Sequence, residues 1–142
     1  MIQIQPFQHL FHQLLLLYRP FESRLNELLG KHQIFRGQWS VLHYLANEGS
    51  TTLVELSHYL YVEKPTTTRT INRLEELGYV EHVPSRDKRE KRMQLTVLGQ
   101  QVYEEVRITI DAFEKDILTG ISVEEQQDMV RIMQIIRANI LK

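Results

Sequence analysis

The sequence predicts a mainly α-helical fold that carries one small β-hairpin. Apolar residues recur at spacings of three and four through most of the 142 residues, as they do on the buried face of a helix. One interval near the middle, residues 79–96, instead holds two short strand-like runs separated by a polar segment. The length corresponds to one domain, and no internal repeat or long linker interrupts it.

Two helices are predicted before the middle of the chain. Residues 7–29 follow the helical period, and further leucines widen the apolar stripe beyond what one face can bury. Pro20 lies inside this segment, where it removes a backbone hydrogen bond and is expected to kink the helix, and Gly30 is expected to end it. The second helix is predicted over residues 37–48, with Gly49 after it.

Two shorter helices follow, joined by a tight turn. Thr52 and Glu55 have the spacing of a capping box, which predicts a helix over residues 53–60. Pro65 suits the first position of the next helix, because the N–H that proline lacks would have no partner there. This helix is predicted to run to Leu77, with Ile71, Leu74 and Leu77 on its buried face.

The β-hairpin and two more helices complete the predicted order of elements. The strands are predicted at residues 79–83 and 92–96, and the segment between them is polar and basic. A long helix is predicted over residues 97–118. A second capping box, Ser122 with Glu125, then opens a final helix that reaches residue 141.

Composition excludes several classes of function. The chain has no cysteine, which excludes disulfides, thiolate metal sites and cysteine redox sensing. No secretory signal is visible, and the longest apolar run, Leu14 to Tyr18, is far too short to span a bilayer. With neither cysteine nor a secretory signal, we expect a cytoplasmic protein. Because no serine has a nearby histidine–acid pattern and no glycine-rich phosphate loop is present, we expect that it is not an enzyme and needs no cofactor.

Charge is distributed unevenly along the chain. The net charge is −1, yet residues 64–92 contain 8 Lys/Arg and 5 Asp/Glu and so carry +3. A local positive region of this kind can bind nucleic acid whatever the total charge is. By itself, the same excess is equally typical of an ordinary solvated surface.

The two short helices and the hairpin together predict a winged helix-turn-helix. The second helix of such a motif is narrow enough to enter the DNA major groove, where arginine can bind guanine or phosphate and threonine can bind either. The alternative is a polar helix that simply faces solvent. The candidate DNA-binding residues of this helix and the position before it are Lys64, Thr66, Thr67, Thr68, Arg69, Thr70, Asn72 and Arg73.

The segment between the strands is the candidate wing. Pro84 ends the first strand, and a hairpin that needs only a turn does not need the seven residues 85–91 that follow. A basic loop beside a recognition helix can reach a minor groove or the flanking phosphates. The candidate residues of the wing are Arg86, Asp87, Lys88, Arg89, Lys91 and Arg92.

The chain resembles the MarR family of bacterial transcriptional regulators over nearly its whole length. The strongest part is Asp87-Lys-Arg89, followed at the family's spacing by Leu95-Thr96 and Gly99. Further matches in the family's order are Gln38-Trp39 with Leu42, Thr68-Arg69, Asn72-Arg-Leu74-Glu and Gly78-Tyr-Val80.

The resemblance implies a single MarR-like domain over residues 1–142 that forms a homodimer. Residues 33–96 would be the winged helix-turn-helix, and residues 1–32 and 97–142 would interlock with the partner. Arg89 matches the wing arginine that enters the minor groove, Asp87 matches the acidic residue that braces the wing, and residues 66–73 fall where the family contacts the major groove. The apolar surplus of the two end helices also indicates a partner, although these helices could instead close on each other within one chain.

The resemblance also implies a small aromatic or phenolic effector. Tyr18, Phe21, Trp39 and His43 are the candidate lining of its pocket, and they are equally well explained as core. His9 and His12 lack the spacing of a metal site, so no metal is predicted.

These observations predict a sequence-specific DNA-binding homodimer that acts as a repressor on an inverted-repeat operator and is released by a small effector. The alternative is a winged-helix module that binds proteins and no longer binds DNA. A sensor of metal or ligand would be a subtype of the first interpretation.

Overall fold

The structure is a computed structural model and describes residues 3–84 and 91–142. This part of the chain forms six α-helices and three short β-strands. In order they are α1 (Pro6–Lys31), α2 (Arg36–Glu48), β1 (Thr51–Thr52), α3 (Leu53–Leu60), α4 (Lys64–Glu76), β2 (Val80–His82), β3 (Arg92–Leu95), α5 (Val97–Ile117) and α6 (Val123–Ile140). The predicted mainly helical fold with a small β-hairpin is therefore confirmed.

The first helix ends later than the sequence predicts. Gly30 lies inside the last turn of α1, and His32 is the C-cap. The left-handed conformation that follows is adopted by Gln33, with φ 60°, rather than by a glycine. The helix continues through Pro20. Glycine at the end of a helical pattern is thus a statistical stop signal, and the actual end depends on which residue takes the left-handed position.

A third strand, β1, is absent from the sequence prediction. It consists of only two residues, which precede α3, and two residues cannot show an alternating pattern. The sheet is antiparallel with the order β1-β3-β2, in which Thr51 pairs with Met93 and Val80 with Leu95. Strand β3 is therefore the central strand, held on one side by the segment before α3 and on the other by β2.

The junction between the sheet and α5 explains the Leu-Thr and glycine motif. The Thr96 hydroxyl donates to the Gly78 carbonyl and accepts from the Gly99 N–H over 3.0 Å. A Cβ at Gly99 would collide with the backbone carbonyl of Tyr79. Glycine is required here because the first turn of α5 lies directly against the backbone that leaves α4.

The chain divides into two compact units, Met1–Ile110 and Asp111–Lys142. The first unit contains the core, in which α2, α3 and α4 pack on one another and to which α5 contributes Tyr103, Val106 and Ile110. Its fully buried large side chains include Leu29, Leu42, Leu56, Leu74 and Ile110. Burial of this kind stabilises a fold by about 1.5–3 kcal/mol per side chain.

Helix α1 buries apolar residues only towards its C-terminal end. Leu25, Leu28 and Leu29 are buried, whereas Phe7 is 64% exposed and every apolar side chain described from there to Tyr18 is about half exposed. The first half of this helix is therefore apolar on more than one side and uncovered.

In the second unit, α6 has no buried residue, although it carries a series of large apolar side chains from Val123 to Ile140. Two capping residues define its start, since Ser122 accepts from Glu125 N and Glu125 accepts from Ser122 N. In the part of the chain described, no helix is long and apolar enough to cross a membrane.

Candidate nucleic-acid interface

Helix α4 presents one face to the core and the opposite face to solvent. Ile71 and Leu74 are buried on the inner side. The side chains that are exposed on the outer side and can form hydrogen bonds to DNA are Thr66, Arg69, Asn72 and Arg73. These four residues span two turns, the length that a recognition helix presents to a major groove.

Thr67 does not belong with the predicted DNA-binding residues of α4. Its side chain is 3% exposed and its hydroxyl donates to the Glu63 carbonyl over 3.3 Å. Thr67, Ile71 and Leu74 follow one another at spacings of four and three, so the helical period itself places Thr67 on the inner face. The expected hydrogen bond from this residue to DNA is wrong, because it follows from the residue type and ignores the position on the helix.

Thr68 and Thr70 are half-buried at the edges of the outer face. Each hydroxyl donates to the carbonyl four residues earlier, to Lys64 over 2.9 Å and to Thr66 over 3.1 Å. The Thr70 hydroxyl also faces α2 at Gly37. Their oxygens keep acceptor capacity, while their protons are used within the helix.

Both arginines on the outer face have partners on the same helix. Arg69 Nη2 donates to Thr66 Oγ1 over 3.3 Å, and Arg73 Nη1 pairs with Glu76 Oε2 at 3.1 Å. Exposed pairs of this type contribute little to stability, so DNA can replace them at small cost. The guanidinium groups therefore remain available for binding.

The turn before α4 is fixed by backbone contacts. Tyr61 adopts the left-handed conformation (φ 55°, ψ 47°), its N–H donates to the His58 carbonyl, and the Val62 N–H donates to the Ser57 carbonyl. A left-handed tyrosine is uncommon, and this one is 81% exposed. Lys64 is the first residue of α4 rather than a residue before it, and Pro65 is the second, because proline needs no N–H partner anywhere in the first turn.

Four of the predicted wing residues, Arg86, Asp87, Lys88 and Arg89, lie outside the described residues. Lys91 is exposed immediately before the returning strand β3. Arg92 differs from it, because its guanidinium donates to Ser50 and approaches Glu55. The basic residues of the wing region are therefore not equivalent.

The candidate effector residues lie in two groups. Trp39 is buried and stacks on Tyr103 with ring centroids 5.2 Å apart, while His43 lies 6.1 Å from each ring. Asn47 joins this group by donating to the Tyr103 hydroxyl over 3.1 Å. The sequence prediction missed Tyr103, since it lies 60 residues beyond His43 and no local pattern connects them.

Tyr18 and Phe21 belong to α1, where Tyr18 is exposed and Phe21 is half-buried. A hydrogen bond to the Glu22 side chain, followed by partial burial and the charge of Glu22, raises the pKa of the Tyr18 phenol, while Arg36 opposes this shift. His9 and His12 are exposed on the same helix. Within residues 3–84 and 91–142, no three His, Cys, Asp or Glu side chains come together as a metal site would require.

The helix-turn-helix is flanked by the strands of a three-stranded antiparallel sheet, β1 before it and β2 and β3 after it, and its second helix has an arginine-bearing outer face. This arrangement defines the winged helix-turn-helix class of DNA-binding proteins. Comparison with known proteins identifies the family. The profile of the MarR family matches residues 32–90. The HTH-type transcriptional regulator YwoH of Bacillus subtilis is 39% identical over 120 residues, which are 84% of this chain and 88% of YwoH.

Solved structures agree with this result. MarR of Staphylococcus aureus, in complex with salicylate and kanamycin, is 32% identical with a TM-score of 0.82 over 94% of this chain and 91% of that one. A cysteine-to-serine mutant of E. coli MarR, complexed with operator DNA, shares the fold at 23% identity, with a TM-score of 0.76 over 94% and 99% of the two chains. The chain belongs to the MarR family and is a DNA-binding transcriptional regulator.

Proposed function

We propose that this regulator is a repressor that binds an inverted-repeat operator as a homodimer and is released by a small aromatic effector. The observation that carries the proposal is the outer face of α4. It combines two guanidinium groups with hydroxyl and amide groups on a helix whose inner face is fixed in the core. Such a face can bind base edges, whereas a helix that only faces solvent needs no such combination.

The homodimer is supported by uncovered apolar side chains at both ends of the chain. The first half of α1 and the whole of α6 leave large aliphatic and aromatic side chains in water. Exposed apolar surfaces of this extent mark interaction sites. A second copy of the chain supplies matching surfaces, and twofold symmetry is the commonest arrangement.

The inverted repeat follows from this symmetry. A twofold dimer presents two α4 helices to successive major grooves, about one helical turn of DNA apart. Lys64 and exposed basic residues of the wing region such as Lys91 would bind phosphate, while Arg69 and Arg73 would bind base edges. Operator DNA bound by the E. coli relative supports this use of the shared fold.

The effector is supported by the salicylate complex of the S. aureus relative. In this chain, Arg107 lies 5.9 Å from the Trp39 ring. The half-buried Arg36 opposes the rise that Glu22 causes in the pKa of the Tyr18 phenol. Cations beside aromatic rings suit a ligand with a ring and a carboxylate. Tyr18, Phe21, Trp39 and His43, with Tyr103 added, remain the proposed contacts.

Selection from sheared genomic DNA at near-physiological salt tests the proposal. Wild type is compared with the Arg69→Ala, Arg89→Ala double variant and with a Lys31→Ala, Lys115→Ala control, which removes two exposed charges from α1 and α5. We expect wild type and control to enrich fragments that share one inverted repeat, and the double variant to enrich none. Enrichment of no fragment by wild type, with and without salicylate, would contradict the operator proposal and favour a protein-binding module.

A further inference from the structure

Arg92 lies where the returning strand of the wing meets the helix-turn-helix. It is the first residue of β3 and pairs with Thr52 of β1, the N-cap residue of α3. Its side chain is 30% exposed, whereas the neighbouring Lys91 is on the surface. Two basic residues that are adjacent in sequence therefore have different surroundings.

The guanidinium of Arg92 is engaged within the protein. Nε donates to Ser50 Oγ over 3.3 Å, and Nη2 donates to the Ser50 carbonyl over 3.1 Å. Nη2 also lies 3.6 Å from Glu55 Oε2. The planar fork of arginine is suited to such simultaneous contacts, and a lysine ammonium is not.

Glu55 connects this guanidinium to the start of α3. Its Oε2 accepts from Thr51 Oγ1 over 3.1 Å and from Thr52 N over 3.4 Å, in addition to facing Arg92. Thr52 in turn caps the helix by accepting from Glu55 N. One carboxylate thus joins the helix cap, strand β1 and strand β3.

We propose that Arg92 is a positioning residue, and that together with Glu55 it anchors the returning strand of the wing to α3. The inference rests on the proposed contact of the wing with DNA, because its consequence is to orient the basic residues that precede Arg92 in the sequence. Arg92 then positions the wing by contacts within the protein and does not bind DNA phosphate itself. Its charge and its place in the sequence instead predict a contact with DNA.

Removing the Glu55 carboxylate changes DNA affinity in opposite directions if Glu55 anchors the wing and if it acts only by its charge. A carboxylate near a DNA-binding surface repels phosphate, so its removal by charge alone would strengthen binding. If the carboxylate positions the wing, its removal weakens binding. Glu55→Gln is a mild change, since glutamine also completes a capping box.

The test measures the affinity of Glu55→Gln, Arg92→Lys and Arg92→Ala for a duplex that carries the enriched repeat, or for a mixed-sequence duplex at low salt if none is enriched. Glu48→Gln, which removes an exposed carboxylate of α2, is the matched control. We expect all three variants to bind about threefold to tenfold more weakly than wild type, and the control to be unchanged. Wild-type affinity for Arg92→Lys, or equal or tighter binding by Glu55→Gln, would overturn the anchor.

Amide hydrogen exchange of the DNA-free protein separates this inference from the proposed function. We expect faster exchange at the β1–β3 pairs in Glu55→Gln and Arg92→Lys, with protection of α4 retained. If wild type binds no duplex, the proposed function fails, and the exchange data still decide whether the anchor exists. Unchanged exchange at β1 and β3 would refute it.

Discussion

Thr66 and Arg69 lie one turn apart on the outer face of α4, and the Arg69 guanidinium donates to the Thr66 hydroxyl over 3.3 Å. Thr66 thus limits the positions that the long arginine side chain samples before DNA is bound. Less side-chain freedom then has to be lost on binding. Arg69 is therefore the residue of this face from which we expect the strongest base discrimination.

Arg69→Ala should weaken operator binding by about 1–3 kcal/mol and relax the preference at one base pair of each half-site. Competition binding with single-base variants of the enriched repeat measures both effects. Arg24→Ala, which removes an exposed arginine paired with Glu27 on α1, is the control and should leave both unchanged. A loss that is equal for all bases would instead assign Arg69 to phosphate.

Arg89→Ala should weaken binding and make its salt dependence shallower, by about one in the slope of log K against log salt. Arg89 is outside the described residues, so this prediction depends on the motif that contains it. The measurement is affinity across a series of salt concentrations. An unchanged slope would rule out the proposed contact of the wing arginine with DNA.

Thr66 and Thr67 are adjacent in sequence and opposite in location. We expect Thr67→Ala to lower the free energy of unfolding by about 1 kcal/mol, because it leaves a gap beside Ile71 and Leu74, and Thr66→Ala to leave it almost unchanged. Thr66→Ala should instead reduce discrimination between bases. Urea denaturation and binding of the two variants give the comparison, and the reverse pattern would contradict this assignment of the two faces of α4.

The location of Thr67 shows which features of a helix can be predicted from its sequence. Helical periodicity predicts the helices and most of their inner faces, because burial repeats along the chain at 3.6 residues. Thr67 follows the same period as Ile71 and Leu74. It is among the candidate DNA-binding residues only because it has a hydroxyl group. The helical period alone is sufficient to predict that Thr67 is buried. The prediction that it contacts DNA follows from its residue type and leaves its position on the helix out.

Other features depend on contacts distant in sequence. Tyr103 joins Trp39, and Arg92 joins Ser50 across 42 residues. Strand β1 exists only because β3 returns beside it, and two residues have no periodicity of their own. The sequence shows that the wing region is basic, but it does not show that Arg92 is engaged by Ser50 and Glu55.

Gly99 and Gly30 form a matched pair for the packing at the start of α5. Gly99→Ala forces a methyl group against the Tyr79 carbonyl and should destabilise the fold by about 1–3 kcal/mol or more. Gly30→Ala has open space inside a helix and should stabilise it by about 0.4–1 kcal/mol. Chemical denaturation measures both, and a neutral Gly99→Ala would contradict the close approach of α5 to the chain leaving α4.

The uncovered apolar side chains of α6 give the test of the homodimer. Met133 is 52% exposed among other large apolar residues, so Met133→Glu places a charge where a partner would bury it. Gln127→Glu adds the same charge at an exposed polar position of the same helix and is the control. Burying an unpaired carboxylate in an interface costs several kcal/mol, which is enough to dissociate a dimer at micromolar concentration.

We therefore expect sedimentation to find wild type and Gln127→Glu at twice the mass of the chain, and Met133→Glu at the mass of one chain. Operator binding should fall with dimerisation, because a monomer contacts a single half-site and loses the gain from linked contacts. Leu14→Glu, in the uncovered half of α1, should act in the same direction. A wild-type protein that sediments as a monomer at all concentrations would require these apolar side chains to be covered by a different partner, and the inverted-repeat operator would then lose its structural reason.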